Sequence, residues 1–219
     1  MTGILDIASA REEICLHGRS LFDRGYASGS SGNLSVRLAD GSMMVTPTNA
    51  SLGRLDPEAI AHLDTEGRLL NGAEPSKEAL LHRAVYDARS QARGIVHLHA
   101  THSAAVSCMA GLDSSSCLPP LTAYFVMKIG HLPLIEYHRP GDPDLPRRIA
   151  TVAREHPAFL LANHGPIVAG RSLAQAVNAA EELEETARLF LLLRGSATRL
   201  LDCEQIEILE RVFGRATDA

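Results

Sequence analysis

The chain has 219 residues, 45% of them hydrophobic and 21% charged, with no tryptophan and a formal net charge of -5 at pH 7. That length suits one domain with a sizeable core, and the acidic balance argues against nucleic acid as a partner while leaving a phosphorylated small molecule open, since a few local donors suffice to bind an anion. Four scattered cysteines without a C-x-x-C pair, no basic-then-apolar leader and no run near the roughly 20 apolar residues of a membrane span lead us to expect a cytoplasmic protein with reduced thiols and no membrane contact.

Taken in order, "ASAREEICLHGRSLFDRGY" places Ile14, Leu21 and Phe22 on one helical stripe with Gly25 to end it. A Gly/Ser-rich loop follows, and then "NLSVRL" and "SMMVTP" flank Asp40-Gly41, a two-residue hairpin signal. Asp56 and Pro57 read as the cap and first position of a short helix, and "AHLDTEGRLLNG" as a second hairpin. From Ser76, which can cap it, a core-facing helix repeats Leu80, Leu81, Ala84, Val85 and Ala88, with Glu78 in its first turn.

The strand "GIVHLHA" comes next, then a helix from Thr101 or Ser103 to Ala110, a proline-bounded loop, a strand-like "HLPLIEYH" and a helix over "RRIATVAREH". "AFLLANHGPIVAG" is two buried runs broken at Asn163-His164-Gly165, and a long helix over "SLAQAVNAAEELEETARLFLLLRG" carries an acidic face expected to be solvated. No repeat or composition shift divides the chain, so residues 1-219 read as one mixed α/β domain, a largely antiparallel sheet with helices against it.

The chemistry concentrates in "IVHLHATH". In a strand His97 and His99 share a face, while Val96 and Leu98 point into the other layer. Two imidazoles so placed make half of a metal site, and zinc suits them, being held by neutral histidine nitrogens at about 2.0-2.1 Å with one position open in catalytic sites. Two half-buried, hydrogen-bonded histidines would give the same pattern. His164, at the sharp end of a buried strand, is the best third ligand, and Glu78 the best carboxylate, as ligand or proton carrier. His102 has the wrong offset and is expected to cap or support rather than ligate. "SSGNLS", "TPTNAS" and "PSK" supply hydroxyls, amides and backbone N–H groups for an anion, although turn chemistry explains each alone.

Taken together, "SGNLSVR", "TPTNAS", "EPSKEALLH", "IVHLHATHS" and "LLANHGPIVAG", in this order over nearly the whole chain, resemble the class II aldolase/adducin family, which contains fuculose-phosphate aldolase and ribulose-phosphate 4-epimerase. The resemblance implies a three-layer α/β/α domain and zinc, or manganese or another divalent metal, on His97, His99 and His164, with Glu78 as displaceable fourth ligand and acid/base. It also implies a phosphate pocket from Asn33, Thr48, Asn49, Ser76 and Lys77, and a homotetramer with active sites between subunits. Asn49 and Lys77 depart from the glycine and serine of many aldolases, and a lysine there suits a more anionic substrate.

The segment "LPPLTAYFVMKIGHLPLIEYHRPGDPDL" looks like the branch that decarboxylates four-carbon 3-oxo-tetronate 4-phosphates to dihydroxyacetone phosphate and carbon dioxide through a metal-stabilised enediolate. Tyr124, Lys128 and Arg139 are its candidates for the leaving-group region, or for a subunit interface. An aldolase or epimerase on the same scaffold is the alternative, and a non-catalytic adducin-like module a remoter one.

Overall fold

The chain folds as an α/β structure around one central mixed sheet, and the computed structural model describes residues 6-139 and 141-214. Asp6 opens α1 (Ile7–Asp23) by accepting from the Ser9 backbone at 2.8 Å, and Ile14 and Leu21 are its buried stripe. The strands are β1 (Asn33–Arg37), β2 (Met43–Val45), β3 (Ala61–Leu63), β4 (Leu69–Asn71), β5 (Gly94–His97), β6 (Leu134–Ile135), β7 (Ala158–Leu161) and β8 (Gly165–Gly170). They form one eight-stranded sheet in the order β4-β3-β2-β1-β5-β8-β7-β6, antiparallel throughout except for the parallel β6–β7 pair.

Alternation sorts the sheet into two apolar faces. Leu34, Val36, Val96, Leu98, Leu160 and Val168 belong to one cluster, with α1, α3 (Thr101–Ser107), α4 (Ala123–Lys128) and α6 (Leu173–Leu192). Val45, Leu63, Ile95, Phe159, Ile167 and Ala169 belong to the other, with α2 (Ala79–Ala88) and α5 (Leu145–Ala153). α7 (Cys203–Phe213) buries none of its residues and packs beside α4.

Several local expectations change. The β1–β2 connection has three residues, not two, because the Leu38 N–H reaches Ser42 O at 2.8 Å; Gly41 takes the positive φ of 87° that closes such a loop. α2 begins at Ala79, so Glu78 is its N-cap residue rather than part of its first turn, and the Ser76 hydroxyl accepts from the Glu78 N–H at 3.3 Å. Leu80 is 62% exposed, since the buried face runs through Leu81, His82, Val85 and Tyr86. β5 stops at His97, leaving His99 outside the strand. α4 and α7 form where the sequence pattern predicts no helix.

Candidate metal centre and active site

Four elements deliver four donors to one point. Glu78 stands at the N-cap position of α2, His97 ends β5, His99 lies in the link between β5 and α3, and His164 sits on the β7–β8 turn. One ligand atom from each lies within 4.8 Å of all the others. His99 Nε2 is 3.0 Å from His97 Nε2 and 2.9 Å from His164 Nε2, while the Glu78 oxygens lie 3.4 Å from His97 Nε2 and 3.3 Å from His164 Nε2.

Backbone pairing sets this convergence. β5 and β8 run antiparallel with His97 opposite Ile167, so the turn before β8 comes back over the end of β5. Gly165 is what permits the approach: a Cβ there would lie 2.2 Å from Leu98 O. The turn itself is Ala162–His164, closing before Gly165 rather than after it, with Asn163 in the left-handed region at φ 57°.

His97 is buried, and its Nδ1 is 2.8 Å from the Pro166 carbonyl, an acceptor only, so Nδ1–H donates and Nε2 keeps a lone pair facing its neighbours. Burial pushes His97 down to about 4, Glu78 opposing this and His164 and His99 adding to it; burial and His164 lower His99 as well. Burial alone would raise the Glu78 carboxyl, but the charge of His97, the hydrogen bonds of His164 and Asn33 and the charge of His164 together hold it well below the usual carboxylate range. Lowered His97 and His99 beside a carboxyl that stays ionised favour the deprotonated donors that a metal requires. Bonds of about 2.0-2.1 Å at tetrahedral angles would set zinc ligands roughly 3.3 Å apart, and the four separations of 2.9, 3.0, 3.3 and 3.4 Å bracket that value. The residues fit a divalent metal.

The anion-binding candidates divide. The loops around Thr48 and Ser76 lie side by side, tied by Thr48 N–H to Glu74 O at 2.9 Å and Ser76 N–H to Thr46 O at 3.1 Å. Thr48, Ser76 and Lys77 line one cleft together with Arg83. Asn49 stands apart from that lining, held at φ 57°. Asn33 instead donates its side-chain amide to Glu78 Oε2 at 2.6 Å, making it a partner of the carboxylate. Tyr124 and Lys128 sit together on α4, the ammonium 5.7 Å from the ring centroid, and Arg139 is exposed before α5; no described contact joins these three to the four-donor cluster.

Two features escaped the sequence. Below Glu78, the buried His82 shares the Ser35 hydroxyl at 2.7 Å, which also meets the Tyr86 hydroxyl at 2.9 Å. On α6, Glu184 is not on a solvated face: it is 6% exposed and accepts from the His102 N–H, His102 Nδ1 and the Ser103 N–H, each at 2.8 Å. His102 thus stays out of the cluster, as its spacing suggested.

Residues 12-191 match the Class II Aldolase and Adducin N-terminal domain, and the chain belongs to that family. Among its relatives, a 3-oxo-tetronate 4-phosphate decarboxylase of Escherichia coli is 48% identical over 198 residues, covering 90% of this chain and 93% of its own. An L-fuculose phosphate aldolase of Methanocaldococcus jannaschii is 34% identical over 174 residues, 80% of this chain and 91% of its own. The crystal structure of YgbL from Escherichia coli superposes with a TM-score of 0.91 at 46% identity, covering 93% of this chain and 98% of that one.

Proposed function

We propose that this chain is a metal-dependent lyase that converts a 3-oxo-tetronate 4-phosphate to dihydroxyacetone phosphate and carbon dioxide. The observation that carries the reading is the convergence of Glu78, His97, His99 and His164 in a chain 44% to 49% identical to five relatives named as that decarboxylase. In it, His97, His99 and His164 would hold zinc, or manganese, with Glu78 completing the set. A metal bound there supplies Lewis-acid stabilisation of the negative charge that develops on substrate oxygen as carbon dioxide leaves.

The chain's own groups do the rest. The bond to the carboxylate carbon breaks, its electron pair stays with the substrate, and Glu78 passes a solvent-derived proton to the carbon left behind. Glu78 suits that task because its two oxygens face different imidazoles and only one is engaged by Asn33, so the carboxylate can turn without losing every partner. Thr48, Asn49, Ser76 and Lys77 bind the phosphate in this reading, supported by the shared cleft of three of them, and Asn33 works between phosphate and Glu78. Exposed Tyr124 and Arg139 and half-buried Lys128, all outside the cluster, serve the substrate's outer end or a subunit contact.

We read residues 1-219 as one three-layer domain, supported by the two clusters on opposite faces of the sheet, and the protein as a cytoplasmic homotetramer. Exposed Leu192, Val212 and Phe213 support self-association, and no described helix is long and apolar enough to cross a membrane. The test is to incubate zinc-loaded protein with both stereoisomers of 3-oxo-tetronate 4-phosphate and measure carbon dioxide and dihydroxyacetone phosphate. Cleavage of a sugar phosphate to an aldehyde without carbon dioxide release would reject the decarboxylase in favour of an aldolase.

A further inference from the structure

Of the three imidazoles, only His97 is held by a strand. His99 sits in the link that leads into α3, and His164 on a turn, yet both are tied to the same short helix. At its start, α3 has Ala100 in the N-cap position, a residue with no side chain to offer its first N–H groups. Glu184 supplies the cap from α6: Oε1 accepts from His102 N–H and Nδ1, and Oε2 from Ser103 N–H. At its end, Ser107 O accepts from Asn163 N–H at 3.1 Å and Ser107 Oγ from His164 N–H at 3.2 Å. The helix is a strut with a buried carboxylate at one end and the His164 turn at the other.

We propose that Glu184 is a positioning residue for the metal centre: by anchoring the first turn of α3 it sets both the path of His99 and, through Ser107, the height of His164. This rests on the metal reading above. A carboxylate buried in an apolar cluster costs stability unless several hydrogen bonds satisfy it. These three bonds do so while fixing the backbone three residues beyond a ligand. An apolar side chain here would leave the His102 and Ser103 N–H groups without their acceptor and the helix free to slide.

The test uses Co2+ as the probe in the full chain, comparing wild type, Glu184→Gln, Ser107→Ala and the double variant. Glu184→Gln keeps the size but replaces an acceptor oxygen by a donor facing the N–H groups. We expect it to weaken Co2+ about 10-100-fold and to alter the visible d–d absorption at saturation, which reports ligand geometry. Ser107→Ala should act in the same direction but less, and the double variant should lose less than the product of the two, because both work through one helix. A Glu184→Gln protein that lowers only the melting temperature, with wild-type affinity and spectrum, overturns the inference alone. Should that variant not fold, an unchanged spectrum and affinity in Ser107→Ala does the same. Wild type that takes up no Co2+, or His164→Ala that takes it up undiminished, overturns the metal reading and the inference with it.

Discussion

Gly165→Ala puts the close approach of β5 and β8 to the test. The added Cβ would stand 2.2 Å from Leu98 O, 3.3 Å from Leu98 C and 3.5 Å from His99 Cα. All three are backbone atoms, so no rotamer change relieves the clash. To reach an ordinary contact near 3.5 Å the strands must part by roughly 1 Å. Two hydrogen bonds to the Pro166 carbonyl span that gap, from Leu98 N–H at 3.3 Å and from His97 Nδ1 at 2.8 Å, and the second fixes the ring that faces the other three donors. Overpacking of this kind costs about 1-3 kcal/mol, which in a chain of this size lowers the melting temperature by about 2-12 °C. A shift of about 1 Å at a reacting centre is worth about a hundredfold in rate. The assay is competition for zinc against a chromophoric chelator, beside turnover and a thermal melt. A Gly165→Ala protein with wild-type zinc affinity, turnover and melting temperature would refute the account of how His164 reaches His99.

Other substitutions separate binding from chemistry. His97→Ala should abolish metal retention after dialysis, whereas Glu78→Gln should keep much of the metal and lose on the order of a hundredfold or more in kcat; full activity in Glu78→Gln removes the proton-carrier role. Lys77→Ala should raise KM for the phosphorylated substrate and weaken inhibition by inorganic phosphate with kcat little changed, so an unaltered KM takes Lys77 out of the pocket. In chelator-treated protein, His82 and His97 are pushed down to about 3 and about 4, the first by burial and His97, the second by burial and its imidazole neighbours. The unfolded chain then binds more protons than the folded one below about 6.5, so stability is full above that pH and falls toward pH 4, by up to about 1.4 kcal/mol per unit for each histidine. Urea denaturation from pH 7 to 4 measures it; a flat profile contradicts the burial of neutral imidazoles.

The parts of the fold that the sequence displayed are those where local chemistry decides. Asp56 and the alternation around Val96 act within a few residues, and a short helix and a strand appear where they point. What stayed hidden depends on distant partners. β5 ends at His97 because the chain beyond it turns into α3, yet His99 still meets His97, so the strand argument reached the right pair through a geometry that holds for only one of them. Glu184 looks like any acid on an acidic helix; only the bare Ala100 cap, 84 residues earlier, gives it a partner to serve, and nothing in either stretch announces the other. Asn33 likewise reads as a loop amide until its cross-strand position opposite His97 brings it to Glu78. α4 spans only six residues, too few to repeat its buried Phe125 and Val126 as a stripe, and α7 buries none of its residues.

The antiparallel seam between β5 and β8 also dictates when during synthesis the site can exist. A ribosome that has delivered His99 has released one carboxylate and two imidazoles, but the third imidazole is 65 residues further on. At about 5-20 residues per second it arrives roughly 3 to 13 seconds later, and it must then form the last pairing of the sheet's centre. Until that moment the nascent chain lacks the third imidazole of the set. A metal held by all four donors would therefore require a polypeptide made past residue 164 with β5 and β8 paired.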